Sequence, residues 1–243
     1  MRNVCHELSV HGKNHLDVAA SHNYIGSSLE AMGDNDGALA NYKECLGIRL
    51  SVLGKNHPHV AFSYFNIGSL LHDIFDNDGA LSNYEKALSI QLPSLGKNHP
   101  DVESTFLGIG SVLNSMGKYE DALTKYEGAL AIDVSVYGKD HHSLALTLSM
   151  IGHVLVYMGD NKGALEEYEE CLAIELESLG KNHPNVADTY SSIGSVLESM
   201  GDCSGALSNF EECLAIREQA LGSDHSDTKS CLKRIEIVKA KLS

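Results

Sequence analysis

Six histidines, His15, His57, His99, His141, His183 and His225, recur every 42 residues, and Gly12, Gly54, Gly96, Gly138, Gly180 and Gly222 keep the same step three places ahead of them. The segments LGKNHPHVA, LGKNHPDVE and LGKNHPNVA repeat almost verbatim. Between them runs a second family of segments: GDNDGALANY, NDGALSNY, KYEDALTKY, GDNKGALEEY and GDCSGALSNF. A fixed period of this length commits the chain to an array of like units, each burying its apolar face against the next. The register makes residues 1–243 one repeat domain. Residues 1–11 read as a partial helix B, 12–53, 54–95, 96–137, 138–179 and 180–221 as five complete repeats, and 222–243 as a C-terminal capping helix.

Each period reads as two helices. Helix A is expected from about Asp17 to Met32, recurring at about 59–75, 101–116, 143–158 and 185–200. Pro58, Pro100 and Pro184 stand at its start, where a proline sacrifices no needed N–H. Gly33, Gly117, Gly159 and Gly201 stand where a left-handed residue ends a helix. Phe75 replaces that glycine in the second copy, so its turn is expected to differ. Helix B is expected at about 35–53, 77–95, 119–137, 161–179 and 203–221, with an apolar stripe through Ala38, Leu39, Tyr42, Cys45 and Leu46. Pro93 falls late in the second copy and is expected to kink or shorten it.

Gly26, Gly68, Gly110, Gly152 and Gly194 sit in mid-helix, where glycine costs about 1 kcal/mol against alanine. A close approach by helix B of the same unit would offset that cost, with Ala38, Ala80, Ala122, Ala164 and Ala206 as its small residues. Tyr42, Tyr84, Tyr126, Tyr168 and Phe210 would then fill the gap to the next unit. In the terminal helix, expected at about 227–242, Glu236 stands at the glycine's place. Leu232, Ile235 and Val238 would face inward and Lys229, Lys233, Lys239 and Lys241 outward.

The pattern Tyr190, Ile193-Gly194, Gly201, Ala206, Phe210, Cys213 resembles the tetratricopeptide repeat. Eight residues beyond the usual 34 add about 12 Å if helical, and this 42-residue unit with its L-G-x-x-H-P-x-V-A joint resembles the kinesin light chain type. The resemblance implies an all-α, right-handed superhelical solenoid of antiparallel helix pairs. It also implies a protein-interaction scaffold or adaptor that binds a peptide or protein segment on the concave helix-A surface.

At 100° per residue, the positions two and five either side of the isoleucine in each Ile-Gly or equivalent pair point away from helix B. They are Ala20, Asn23, Ser27 and Glu30; Phe62, Phe65, Ser69 and His72; Ser104, Leu107, Ser111 and Asn114; Leu146, Ser149, His153 and Val156; and Asp188, Ser191, Ser195 and Glu198. These form the candidate peptide-binding groove. None of the five complete A helices contains Lys or Arg, and carboxylate recognition needs cations. The groove is therefore expected to favour neutral, apolar or basic peptides over acidic ones. Two other modes are self-assembly by stacking through the ends and docking on an acidic convex face carrying Glu166, Glu167, Glu169 and Glu170.

Remaining features exclude more than they suggest. The net charge of −15 disfavours nucleic acid, and no apolar run is long enough for a membrane span. Met1 to His11 show no secretory signal, and the six cysteines contain no C-x-x-C pair. The chain therefore reads as a cytoplasmic monomer or weakly self-associating protein. Histidines of the ladder stand about 10 Å apart in packed layers, too far to share a metal at about 2 Å, so they read as joint-closing residues. The pair His141-His142 reads as a lost proline. His22 takes a bulky packing position at an edge of the core, and Cys45, Cys171 and Cys213 take a small buried position. No phosphate loop, zinc motif or nucleophile elbow is present, and GDNDG lacks the spaced carboxylates of a calcium loop. No enzyme activity, metal or cofactor is expected.

Overall fold

The computed structural model describes residues 15–139 and 141–242, and the half-repeat expected at 1–11 lies outside them. Among the described residues there are eleven α-helices and no strand: α1 Leu16–Ala31, α2 Asn35–Leu53, α3 Pro58–Asp73, α4 Asn77–Leu95, α5 Pro100–Ser115, α6 Tyr119–Tyr137, α7 Ser143–Met158, α8 Asn161–Ser178, α9 Pro184–Met200, α10 Cys203–Leu221 and α11 Ser226–Leu242. Odd-numbered helices are the A type and even-numbered ones the B type. Two compact units share them, the first ending at Ile132 and the second beginning at Asp133. Within each unit, consecutive helices pack as pairs. No described helix is long and apolar enough to cross a membrane.

Each B-to-A joint closes in one way. The repeating histidine precedes helix A, and its Nδ1 accepts the backbone N–H two residues on. Asp17, His59, Asp101, Ser143, Asn185 and Asp227 donate at 3.1 to 3.3 Å. The imidazole thus does the work of an N-capping Ser or Asp, and the following proline presets the first turn at Pro58, Pro100 and Pro184. At the fourth joint His142 replaces proline. There His141 still accepts from Ser143, and its ring stacks on Tyr137 at 4.7 Å.

The A-to-B turns are equally uniform. Gly33, Gly117, Gly159 and Gly201 all hold positive φ. Phe75 does not give a different turn, contrary to expectation. It holds φ at 64° and is 87% exposed. Its N–H bonds the His72 carbonyl at 2.9 Å and the Asp76 N–H bonds that of Leu71 at 2.8 Å, as Gly33 and Asp34 do in the first repeat. The hydrogen bonds of the motif override the side chain's aversion to this region. Asp34, Asp76, Asp160 and Asp202 then cap helix B by accepting from Gly37, Gly79, Gly163 and Gly205. Pro93 does not shorten its helix: α4 keeps 19 residues, like α2 and α10. It stands in the last turn, where it removes a single bond.

The mid-helix glycines receive helix B of their own repeat as expected, but through the aromatic ring and not the alanine. A Cβ on Gly26 would stand 2.7 Å from the Tyr42 ring, and one on Gly110 would stand 2.5 Å from that of Tyr126. Tyr84 also reaches the following repeat, where a Cβ on Gly108 would meet it at 2.7 Å. Ala38, Ala80, Ala122, Ala164 and Ala206 are fully buried beside these rings. Cys45, Cys171 and Cys213 fill the small core position shared with Ala87 and Ala129. His22 is half-buried, with Nδ1 2.9 Å from Asn41 Oδ1.

The terminal helix α11 departs from expectation at one inward position. Cys231, Ile235 and Val238 are buried, whereas Leu232 is exposed. Ile235, Val238 and Phe210 share one apolar cluster, and Arg234 lies 4.8 Å over the Phe210 ring. The guanidinium thus takes the register position from which Gly108 meets the Tyr84 ring.

The contact at Gly110 predicts the sign of a substitution that helix propensity alone would reverse. Gly110→Ala gains about 1 kcal/mol of intrinsic helix preference but forces the Tyr126 ring aside, and is expected to lose a net 1–3 kcal/mol, roughly. Urea denaturation would show it, and Tyr126→Leu should cost less in the Gly110→Ala background than in the parent, because the clash is then relieved. An unchanged or raised stability in Gly110→Ala would contradict the packing.

Candidate interaction surface

The A-helix positions away from helix B are half-buried or exposed, and none belongs to the core. Ser27, Phe62, Leu146, His153, Val156 and Asp188 are exposed. Asn23, Glu30, Phe65, Ser69, His72, Leu107, Ser111, Asn114, Ser149, Ser191, Ser195 and Glu198 are half-buried. Neighbouring A helices meet along this side. Asn66 donates to Asn23 Oδ1 at 2.8 Å, and His72 Nε2 lies 3.1 Å from Ser115 Oγ. Phe65 leans on the Tyr84 ring at 5.4 Å and packs on the core of its unit.

Part of the surface is already engaged from below. Tyr42 donates to Glu30 at 2.5 Å, and the Ser111 and Tyr126 hydroxyls are 3.2 Å apart. Burial is the main reason these phenols are hard to ionise. It pushes Tyr84 up to about 12, against a bond from Ser69 that lowers it. The ring hydroxyls therefore present neutral hydrogen-bonding groups at the base of the surface.

The expectation of a surface without cations needs correcting. The A helices of the complete repeats supply none, but their neighbours do. Arg49 of α2 lies 5.7 Å over the Phe62 ring. Arg217 of α10 pairs with Asp188 at 2.7 Å, Arg234 of α11 donates to Ser195 at 2.6 Å, and Lys241 pairs with Glu198. Lys241 thus faces this side and not outward. Asp188 and Glu198 are therefore both met by a cation.

In the second unit, two cavities gather the sequence-derived residues. One of about 340 Å³ between α7, α8 and α9 brings together Leu146, Ser149 and Asp188 with Glu175, Asn185 and Thr189. The other, of about 200 Å³, joins His153, Val156 and Ser195 to Tyr168 and Ser192.

Sequence reading missed one series altogether. Position 49 and its equivalents at 42-residue steps are Arg49, Gln91, Asp133, Glu175 and Arg217. Each meets the residue fourteen places on, at the joint with the next helix A. Arg49 donates to Ser63 at 2.8 Å. Thr105 donates to Gln91 at 2.8 Å, Thr147 to Asp133 at 3.1 Å and Thr189 to Glu175 at 2.7 Å, and Arg217 lies 3.3 Å from Cys231 Sγ. Gln91, Asp133 and Glu175 are buried. The signal was a polar residue recurring in an apolar stripe, opposite a recurring small hydroxyl. At the last joint the Cys213 and Cys231 sulfurs are also 2.9 Å apart.

Repeated helix pairs with capped joints, a small-residue seat for an aromatic ring and an open A-helix side define a class of helical interaction scaffold. The Tetratricopeptide repeat family matches residues 17–93, 101–174 and 151–219, so the chain belongs to that family, whose repeats form non-catalytic protein-interaction scaffolds. No curated protein matches it. Among solved structures, BtubC (BKLC) from P. vanneervenii is similar at 22% identity and a TM-score of 0.79, covering 92% of this chain and 90% of that one. A putative kinesin light chain from Podosopora anserina with nearly identical repeats is 18% identical, with a TM-score of 0.74 and coverage of 85% and 98%. The apo form of RapI is 16% identical, with a TM-score of 0.75 and coverage of 92% and 83%. At these identities the likeness is one of fold. Among the described residues no group of His, Cys, Asp or Glu is placed to hold a metal ion.

Burial is the first cause that raises the Asp133 carboxyl, opposed by bonds from Thr147 and Ser143 and by His141. The fold therefore favours the protonated acid. Its contribution is full below the ordinary aspartate value of about 3.9 and fades as pH rises through the raised folded value. Asp133→Asn keeps an acceptor for Thr147, as Gln91 does for Thr105. It is expected to raise stability by on the order of 1 kcal/mol at pH 8, with a smaller gain at pH 4. Urea midpoints at the two pH values would show it, and an equal gain at both would sink the reading.

Proposed function

We propose that the chain is a cytoplasmic protein-interaction scaffold that captures an extended segment of a partner protein along its A-helix side. The observation that carries this reading is the pair of cavities between α7 and α9, which gather Leu146, Ser149, His153, Val156, Asp188 and Ser195. Exposed apolar side chains stand there among serines and neutral ring hydroxyls. Leu146 is 57% exposed and Val156 36%. Burying such side chains gives about 25 cal/mol per Å², and the hydroxyls fix a peptide's orientation.

The preferred ligand is neutral, apolar or basic. The cations near the second unit's A-helix side are already paired with Asp188, Ser195 and Glu198, so an incoming carboxylate would have to displace a partner from each. A scaffold of this kind needs no cofactor or metal, and the net charge of −15 argues against a phosphate-backbone partner.

Leu146→Glu and Val156→Glu test the surface without touching the core. Each is expected to weaken capture of a partner identified by pull-down at least tenfold, with the thermal midpoint within about 2 °C of the parent, because both residues are exposed. Retention of full affinity by the double variant would refute the reading. In the same assay a peptide ending in Asp-Asp with a free carboxylate is expected not to bind measurably, and micromolar binding of it would overturn the stated ligand preference.

A further inference from the structure

We propose that the cavity between α7, α8 and α9 receives the guanidinium group of an arginine side chain carried by the bound partner. This rests on the peptide-capture reading for its biological ligand, and on the repeat itself for its chemistry.

The chain shows what kind of group fills this place. At two joints, helix B carries an arginine at the repeating polar position. The Arg49 guanidinium donates to the His59 carbonyl, ten residues on, at 3.1 Å and to the Ser63 hydroxyl, fourteen on, at 2.8 Å. Arg217 repeats the pattern on the Asp227 carbonyl and Cys231 Sγ, both at 3.3 Å, and adds Asp188 at 2.7 Å. In both joints a guanidinium from within the chain meets acceptors at the start of the next helix A.

At the joint between α8 and α9 the same position is Glu175. The donor has become an acceptor, and the residues ten and fourteen places on are Asn185 and Thr189. All three line the 340 Å³ cavity, with Asp188 and the apolar wall of Leu146. Glu175 is 94% buried, since its relative exposure is 6%. The Thr189 hydroxyl donates to it at 2.7 Å. Burial, ahead of every other cause, disfavours its charge, and Asp188 adds to this, against the opposing pull of His183. The lining contains two carboxylates and neither lysine nor arginine. Arg217 meets Asp188 from the α10 side, and among the described residues no lysine or arginine pairs with Glu175.

An entering guanidinium would add charged donors beside the Thr189 hydroxyl. Its planar fork suits a carboxylate and a carbonyl together, and its methylene stem suits Leu146. A lysine ammonium would bring the charge without the fork. The cavity thus adds a side-chain specificity to the ligand: a basic residue, arginine before lysine, flanked by apolar ones.

The test uses the whole chain and a small probe. N-acetyl-arginine methylamide, its uncharged citrulline isostere and the lysine analogue would be titrated into ¹⁵N-labelled protein. The arginine probe is expected to bind with a Kd on the order of 1–10 mM, shifting the amides of Ser149, Asn185 and Asp188. Lysine should bind more weakly and citrulline not detectably. Glu175→Gln keeps the bond to Thr189, as Gln91 does at its own joint, and should cost about tenfold in probe affinity. Glu175→Arg recreates the occupant found at the Arg49 and Arg217 joints, and should abolish probe binding while the protein stays folded. Equal shifts from arginine and citrulline, probe binding undiminished in Glu175→Gln, or no shifts in α7–α9 would each overturn the proposal. These outcomes are separable from the fate of the scaffold reading. Partner capture lost in Leu146→Glu with no probe binding leaves the scaffold and removes the arginine seat. Probe binding with capture intact in Leu146→Glu and Val156→Glu keeps the seat and removes the surface.

Discussion

A ring lying on a glycine is the contact on which each repeat is built. Tyr42, Tyr84, Tyr126, Tyr168 and Phe210 project from helix B onto a mid-helix residue without a Cβ in the paired helix A. The glycine weakens its own helix, and the ring returns that cost through a large buried area and close axes. Because the ring is held by its own repeat, each pair is a complete building block. The buried alanines and cysteines then set how the next block approaches. Phe210 rests on Gly194 of its own repeat, and the Arg234 guanidinium of the terminal helix lies over the ring from the other side of the joint.

The second constraint is the joint. A histidine cap and, at three joints, a proline fix where each helix A begins, while an aspartate cap after a left-handed residue fixes four of the five B helices. Both devices use local hydrogen bonds, so the direction of the chain at every corner is set before any distant packing. This explains why Phe75 adopts the conformation of a glycine: the pattern of bonds around the turn is shared with its neighbours, and one unfavourable φ costs less than losing them.

The period, the helix bounds and the histidine joint were legible in the sequence because each rests on local spacing. The exposed A-helix positions were legible too, since a period of 3.6 residues settles which side a residue occupies once its partner helix is known. Three things were not. The glycine's partner was assigned to alanine because volume matching cannot tell a small neighbour from a flat ring laid edge-on. The cations at Asp188, Ser195 and Glu198 come from helices outside the five A segments, where a helix-by-helix count does not look. The polar series from Arg49 to Arg217 was hidden because its residues differ in charge from copy to copy, and a repeat is recognised by what stays the same. That variable position also shapes the cavity beside Glu175.

Within each unit, the main packing joins helices that follow one another along the chain. Such an object bears load largely in series, like links in a chain, with cross-ties between neighbouring A-type helices, such as Asn23–Asn66 and Ser195–Arg234, taking a share of the strain. The corner that yields first is therefore set by its own caps and its own buried pair. The fourth corner combines His142 in place of proline with a buried aspartate that resists ionising.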